Sequence, residues 1–174
     1  MSFEPNKTVR RFALVACALV MGAGLLSGCQ VRPLYDSQGE TASRLGSISF
    51  SEATSRVEQE VRNRLIFLTS GGAGEPATAD YDVNLKVASS VAKLLLINSS
   101  DTARAAKVTV SATYSIIRNS DQQVLKSGKR SAVALVDYSI QEFANKRAVR
   151  DAEDRASREL AELIRADVAN ALSR

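Results

Sequence analysis

Tyr81–Ile97 reads Y-D-V-N-L-K-V-A-S-S-V-A-K-L-L-L-I. Tyr81, Val83, Leu85, Val87, Val91, Leu95 and Ile97 share one parity, and Asp82, Asn84, Lys86, Ala88 and Ser90 share the other. Side chains alternate across a strand, so this pattern predicts a long strand with one buried face. A bulge is expected near Ser89-Ser90. Leu94-Leu95-Leu96-Ile97 breaks the alternation and admits two readings, a partner contact or the point where the strand enters the core. Asn98-Ser99-Ser100-Asp101 predicts a turn. Val108, Val110, Ala112, Tyr114 and Ile116 then line one face of a second strand, with Lys107, Thr109, Ser111, Thr113 and Ser115 on the other. Asn119-Ser120-Asp121 turns again, and residues 124–136 form a third strand, with Gly128 as a candidate bulge. Two short turns imply an antiparallel meander.

The flanks complete the pattern. Residues 46–51 (G-S-I-S-F-S) alternate and read as a short strand with Ile48 and Phe50 inward. Ser51 is the expected N-cap of a helix over residues 52–68. Val57, Val61, Leu65 and Leu68 form its apolar stripe, and Glu52, Glu58, Glu60, Arg62 and Arg64 its solvated side. Gly71, Gly72, Gly74 and Pro76 mark a loop over residues 69–79. The last 35 or so residues are helical, with Ala148, Ala152, Ala156, Leu160, Leu163, Ile164, Val168 and Leu172 as the core stripe. Asp151/Arg155, Asp154/Arg158 and Arg158/Glu162 are expected i,i+4 pairs. The fold class is α+β: a four-stranded, mostly antiparallel sheet in the order β-α-β-β-β-α. Both helices cover one face and leave the other polar.

The N-terminus has a different character. Lys7, Arg10 and Arg11 precede an apolar run of 15 residues, 12–26, that closes on Leu26-Ser27-Gly28-Cys29. At about 1.5 Å per residue that run is shorter than a ~30 Å hydrocarbon core, which favours an export signal over a membrane span. Ser27 and Gly28 are the small residues a lipoprotein signal peptidase needs before the cysteine, and Leu26 completes its recognition sequence. Cys29 is the expected attachment point for S-diacylglycerol and an N-acyl chain such as palmitate. Gln30, in place of an Asp, leans toward the outer membrane. The expected organisation is a cleaved signal at 1–28, a lipidated tether at 29–45 and one domain at 46–174. Cleavage would leave 146 of the 174 residues.

Composition removes whole classes of function. The chain has no histidine and two cysteines, of which Cys17 lies in the signal. That excludes Ser-His-Asp and Cys-His catalysis, disulfides and nearly all zinc sites, and no cofactor is expected. The signal carries three basic residues and Glu4, so the net charge falls from +4 to +2 on cleavage. No basic tract with interleaved aromatics remains for nucleic acid. Ser90-Val91-Ala92-Lys93 has the S-x-x-K spacing of penicillin-recognising enzymes, and Lys126-Ser127-Gly128 is a K-S-G. In an alternating strand Ser90 and Lys93 point to opposite faces, whereas the enzyme motif opens a helix. No catalytic residue is assigned.

Lys86, Lys107, Arg118, Lys126, Lys129 and Arg130 are spread over the three predicted strands. On the uncovered face they admit two readings, contact with an anionic partner or edge protection of a soluble sheet. Lys126, Lys129 and Arg130 are the candidate contacts for such an anionic partner, a lipid phosphate for example.

Cys29-x-x-Arg32-Pro33-Leu34-Tyr35, the run V-R-N-R-L-I-F at 61–67 followed by a Gly-rich loop and Tyr81, and D-A-E-D-R-A at 151–156 with Leu160, Ala161 and Ile164 resemble the lipopolysaccharide-assembly lipoprotein family LptE of alphaproteobacteria. Gln30-Val31 departs from the more usual Gly-Phe. The resemblance implies two helices on a four-stranded sheet. It also implies a place inside an LptD-like outer-membrane β-barrel, a role in assembling that barrel, and delivery of lipopolysaccharide to the outer leaflet. The alternative is a generic periplasmic lipoprotein supporting another envelope lipid transporter.

Overall fold

A computed structural model describes residues 40–97 and 102–173, with side chains at 40–93 and 105–173. Leu26, Ser27, Gly28, Cys29, most of the tether, the turn at 98–101 and the side chains of Leu94 to Ile97 lie outside the described residues. The elements are α1 (Glu40–Leu45), β1 (Ile48–Phe50), α2 (Arg56–Ser70), β2 (Tyr81–Ile97), β3 (Thr102–Arg118), β4 (Val124–Asp137) and α3 (Glu142–Leu172). The sheet runs β1-β2-β3-β4. β1 is parallel to β2, and the β2/β3 and β3/β4 pairs are antiparallel. This is the expected α+β class with one added element. Residues Glu40–Leu45, read from sequence as the end of the tether, form α1. Leu45 joins the core, and Arg44 NH1 donates to the Leu172 carbonyl at 2.6 Å.

The core lies between the sheet and α2/α3. Val83, Leu85, Val110, Ala112, Tyr114 and Ile116 from the sheet are buried with Val61 and Leu65 of α2 and Leu160 and Ile164 of α3. Burying each Leu or Ile side chain contributes roughly 1.5–3 kcal/mol. Ala152, Ala156, Ser157 and Ala161 are buried on α3, and small side chains there permit close approach to its neighbours. Leu163, placed in the core stripe from sequence, is 40% exposed. The stripe instead runs through Ala161, Asp167 and Ala169, since a 31-residue helix rotates its buried face away from a fixed i,i+4 row. Asp151 pairs with Arg155 as expected, at 2.9 Å. Asp154 turns instead to Arg56, at 2.6 Å, and Glu162 to Arg64, at 2.9 Å, so these acids tie α3 to α2.

Two expectations for α2, its N-cap and the side on which Glu58 lies, change for one reason. α2 starts later, with Ser55 as N-cap, its Oγ accepting from the Glu58 N–H at 3.2 Å. β1 ends opposite Val83, while β2 continues for many residues. The edge N–H groups beyond that point need other partners. Ser51 Oγ accepts from the Leu85 N–H at 2.9 Å. Glu58 Oε1 accepts from the Val87 N–H at 3.3 Å, and Oε2 accepts from the Thr54 N–H and hydroxyl, each at 2.7 Å. Ser51 therefore extends the edge of the sheet rather than capping a helix. Glu58 is buried, not on the solvated side. Burial opposes its charge, but the bonds from Thr54 and Val87 outweigh burial and hold its pKa below the ordinary value.

The bulges also move. β2 and β3 stay in register past Ser89-Ser90 and slip at Lys93/Leu95 and Leu95/Leu96. Gly128 pairs in register with Tyr114, and the β3/β4 irregularity falls between Ile116 and Ile117. Gly128 is glycine because the Tyr114 ring crosses it: a Cβ there would lie 2.6 Å from the phenolic oxygen.

Candidate functional site

Cross-strand register sorts the basic residues into two sets, because directly paired residues share a face. Lys126 pairs with Ile116 and Arg130 with Ala112, both partners buried beneath the helices. Lys129 pairs with Thr113, which pairs with Lys86. Lys126 and Arg130 thus stand on the helix side, contrary to the expectation that they share the uncovered face with Lys129. A one-residue step reverses the face, and Lys129 lies one step from Arg130. Arg118 also faces the helix side, paired with Tyr81, and bridges to Asp121 at 3.1 Å.

On the helix side, Asp167 of α3 collects four donors. Tyr114 Oη donates to it at 2.5 Å, Lys126 Nζ at 2.8 Å, Arg130 Nε at 2.6 Å and Arg130 NH2 at 2.9 Å. Asp167 and Tyr114 are buried, while Lys126 and Arg130 reach in from the rim of edge strand β4. The Arg130 guanidinium holds the Asp167 carboxyl well below the usual range against its burial, with Lys126 and Tyr114 adding to the effect. Burial, then the Asp167 charge, pushes the Tyr114 phenol up to about 12. The cluster is a clasp between β4 and α3 that keeps one net positive charge at its rim. Sequence reading missed Asp167 and the clasp role of Tyr114. The available signal was an acid set between core residues Ile164 and Val168, and a tyrosine on a buried parity whose hydroxyl needs a partner.

The opposite face of the sheet is built differently. Its rows are Asn84/Ser115/Ser127, Lys86/Thr113/Lys129, Ala88/Ser111/Ser131, Ser90/Thr109/Val133 and Ala92/Lys107/Leu135. Neither α2 nor α3 packs on it. Among the described residues, acids on this face appear only beyond these rows, at Asp82 and Asp137. Between them the face is a hydroxyl-rich surface carrying Lys86, Lys107 and Lys129, with Val133 and Leu135 exposed at one edge. Ser90 lies on this face and Lys93 on the other, opposite buried Ala106, so the S-x-x-K pair is not brought together. Among the described residues no group of His, Cys, Asp and Glu could hold a metal, and no helix is long and apolar enough to cross a membrane.

The model of the LptE family, described as lipopolysaccharide-assembly, matches residues 45–168, which takes in the whole sheet, α2 and all but the last turn of α3. The chain belongs to the LptE family. LptE proteins are non-enzymatic assembly factors of the cell envelope, and the role of this chain lies in lipopolysaccharide assembly. Solved structures share the fold. A candidate lipoprotein from Caulobacter crescentus CB15 superposes with a TM-score of 0.61 at 19% identity, over 76% of this chain and 96% of that one. The rare lipoprotein B of Shewanella oneidensis gives 0.55 at 14% identity, over 71% and 92%. No curated protein matches the chain in sequence.

Proposed function

We propose that this LptE-family chain is an outer-membrane lipoprotein, anchored through Cys29, that sits in the lumen of an LptD-like β-barrel. There it helps the barrel assemble and helps pass lipopolysaccharide to the outer leaflet. The observation that supports this reading is the open sheet face. A hydroxyl-rich, cationic surface with no acid in its central rows suits the polar interior of a large barrel, where Ser and Thr offer both donors and acceptors. Lysines on that face suit a phosphorylated lipid passing alongside. Of the three candidate contacts, Lys129 presents its charge with Lys86 on the open face. Lys126 and Arg130 present theirs from the rim of the Asp167 clasp.

Affinity purification of the chain from outer membranes in mild detergent should recover a β-barrel of the LptD type. Recovery without any such barrel refutes the reading. A photo-crosslinker at Thr113, on the open face, should trap the barrel or lipopolysaccharide more than one at Arg158, exposed on α3. Lys86→Glu with Lys129→Glu should weaken lipopolysaccharide association in a salt-sensitive way while leaving the clasp intact.

A further inference from the structure

The turn between β4 and α3 and the first turns of α3 carry a surface that the core does not explain. Ile140 is 99% exposed and Phe143 is 83% exposed. The turn that presents Ile140 is firmly built. The Ser139 N–H donates to Asn145 Oδ1 at 2.8 Å, and Asn145 Nδ2 donates back to the Ser139 carbonyl at 3.0 Å. The Gln141 N–H donates to Ser139 Oγ at 3.0 Å. Phe143, Lys146, Arg147 and Arg150 follow at i, i+3, i+4 and i+7, which places them on one face of α3. Lys146 Nζ stands 5.8 Å from the centre of the Phe143 ring. Glu142 is the one acid of this stretch, and it pairs with Lys146 at 3.1 Å. Arg147 and Arg150 have no carboxylate within ion-pair distance among the described residues. Residues 140–150 therefore combine two projecting apolar side chains with a net charge of +2.

That pairing is the chemistry of a membrane interface. Apolar side chains enter the headgroup–acyl boundary, and Lys and Arg stems lie along it with their charges at lipid phosphates. We propose that residues 140–150 form a footprint that docks on a phospholipid bilayer carrying anionic headgroups. Charge complementarity selects this occupant: the stretch offers cations and exposed apolar groups, and its only carboxylate is already paired. The position in the fold fits. α1 meets the other end of α3, at Leu172, and a 31-residue helix is about 46 Å long. A chain docked at 140–150 would present the first turns of α3 to the bilayer. The footprint concerns the chain at the membrane without a barrel partner, so its failure leaves the barrel reading untouched.

The chain has no tryptophan, so Phe143→Trp supplies a single reporter. The full chain is reconstituted into vesicles of phosphatidylcholine, with or without phosphatidylglycerol, that carry brominated acyl chains. The expected result is blue-shifted indole emission from the Phe143→Trp chain, quenched by the bromolipid when phosphatidylglycerol is present. The docked-to-undocked ratio read from that quenching should fall at least about tenfold with Lys146→Glu/Arg147→Glu/Arg150→Glu. Phe67→Trp on α2, also at an exposed position, should stay unquenched. On the unsubstituted chain, phosphatidylglycerol vesicles should protect Arg147 and Arg150, but not Arg158, from phenylglyoxal. An unquenched indole at position 143, equal quenching at positions 67 and 143, or protection that appears only with a barrel partner overturns the proposal.

Discussion

Replacing Asp167 with alanine isolates the clasp between β4 and α3. The substitution removes the acceptor for four hydrogen bonds at once. Its consequences differ by partner. Tyr114 is buried, so its hydroxyl loses an acceptor without gaining water, at about 1–3 kcal/mol. Lys126 and Arg130 reach the cluster from partly exposed positions and return to solvent, which adds little. The total is then about 1–3 kcal/mol, below the ~3–5 kcal/mol of a fully buried broken pair. Urea unfolding of the full chain in mild detergent, followed by circular dichroism, measures it. Tyr114→Phe in the Asp167→Ala background should lessen the loss, because it removes the stranded hydroxyl. The coupling in the four-member cycle should reach about 1 kcal/mol. The sign with pH follows from the depressed carboxyl. Its contribution is present above the unfolded value near 3.9 and is lost as pH falls through the lower folded value. The gap between the native chain and Asp167→Ala should therefore narrow only in strong acid. A variant within about 0.5 kcal/mol of the native chain at neutral pH, or an additive double mutant, refutes this account.

Gly128→Ala should cost about 1–3 kcal/mol through overpacking against the Tyr114 phenol, and Gly128→Ala/Tyr114→Phe should recover part of it, read by the same urea titration. Glu58→Leu strands the Val87 and Thr54 N–H groups at the end of the short edge strand. A loss of about 2–4 kcal/mol is expected, with faster hydrogen exchange at Val87 than at Val110; equal exchange at the two would refute the edge role. Tyr114 gives an alkaline counterpart to the Asp167 limb. Its raised value of about 12 means that stability present below pH ~10 is lost as pH rises through 12, and Tyr114→Phe should flatten that limb of a pH-dependent unfolding curve. Cys29→Ser should abolish incorporation of radiolabelled palmitate; retained label would refute lipidation at that residue.

The sequence by itself determined the class of fold and the way each long strand faces. A period of two along 81–97 and 105–118 admits only one buried parity, and Val83, Leu85, Val108, Val110, Ala112 and Ile116 are buried as that period requires. It also shows that the chain has no histidine to serve as an acid, a base or a metal ligand. What the tertiary structure decided is how neighbours share their groups. Ser51 looks like a helix cap until the length mismatch between β1 and β2 gives it an orphaned N–H to accept. Gly128 looks like a bulge until the β3/β4 register lays Tyr114 across it. Lys126, Lys129 and Arg130 look like one basic patch until the pleat sends Lys129 to the open face and the other two to Asp167. Periodicity is local and survives in the one-dimensional chain. Register, edge exposure and the meeting of Asp167 with a strand some 40 residues earlier arise only when the elements pack.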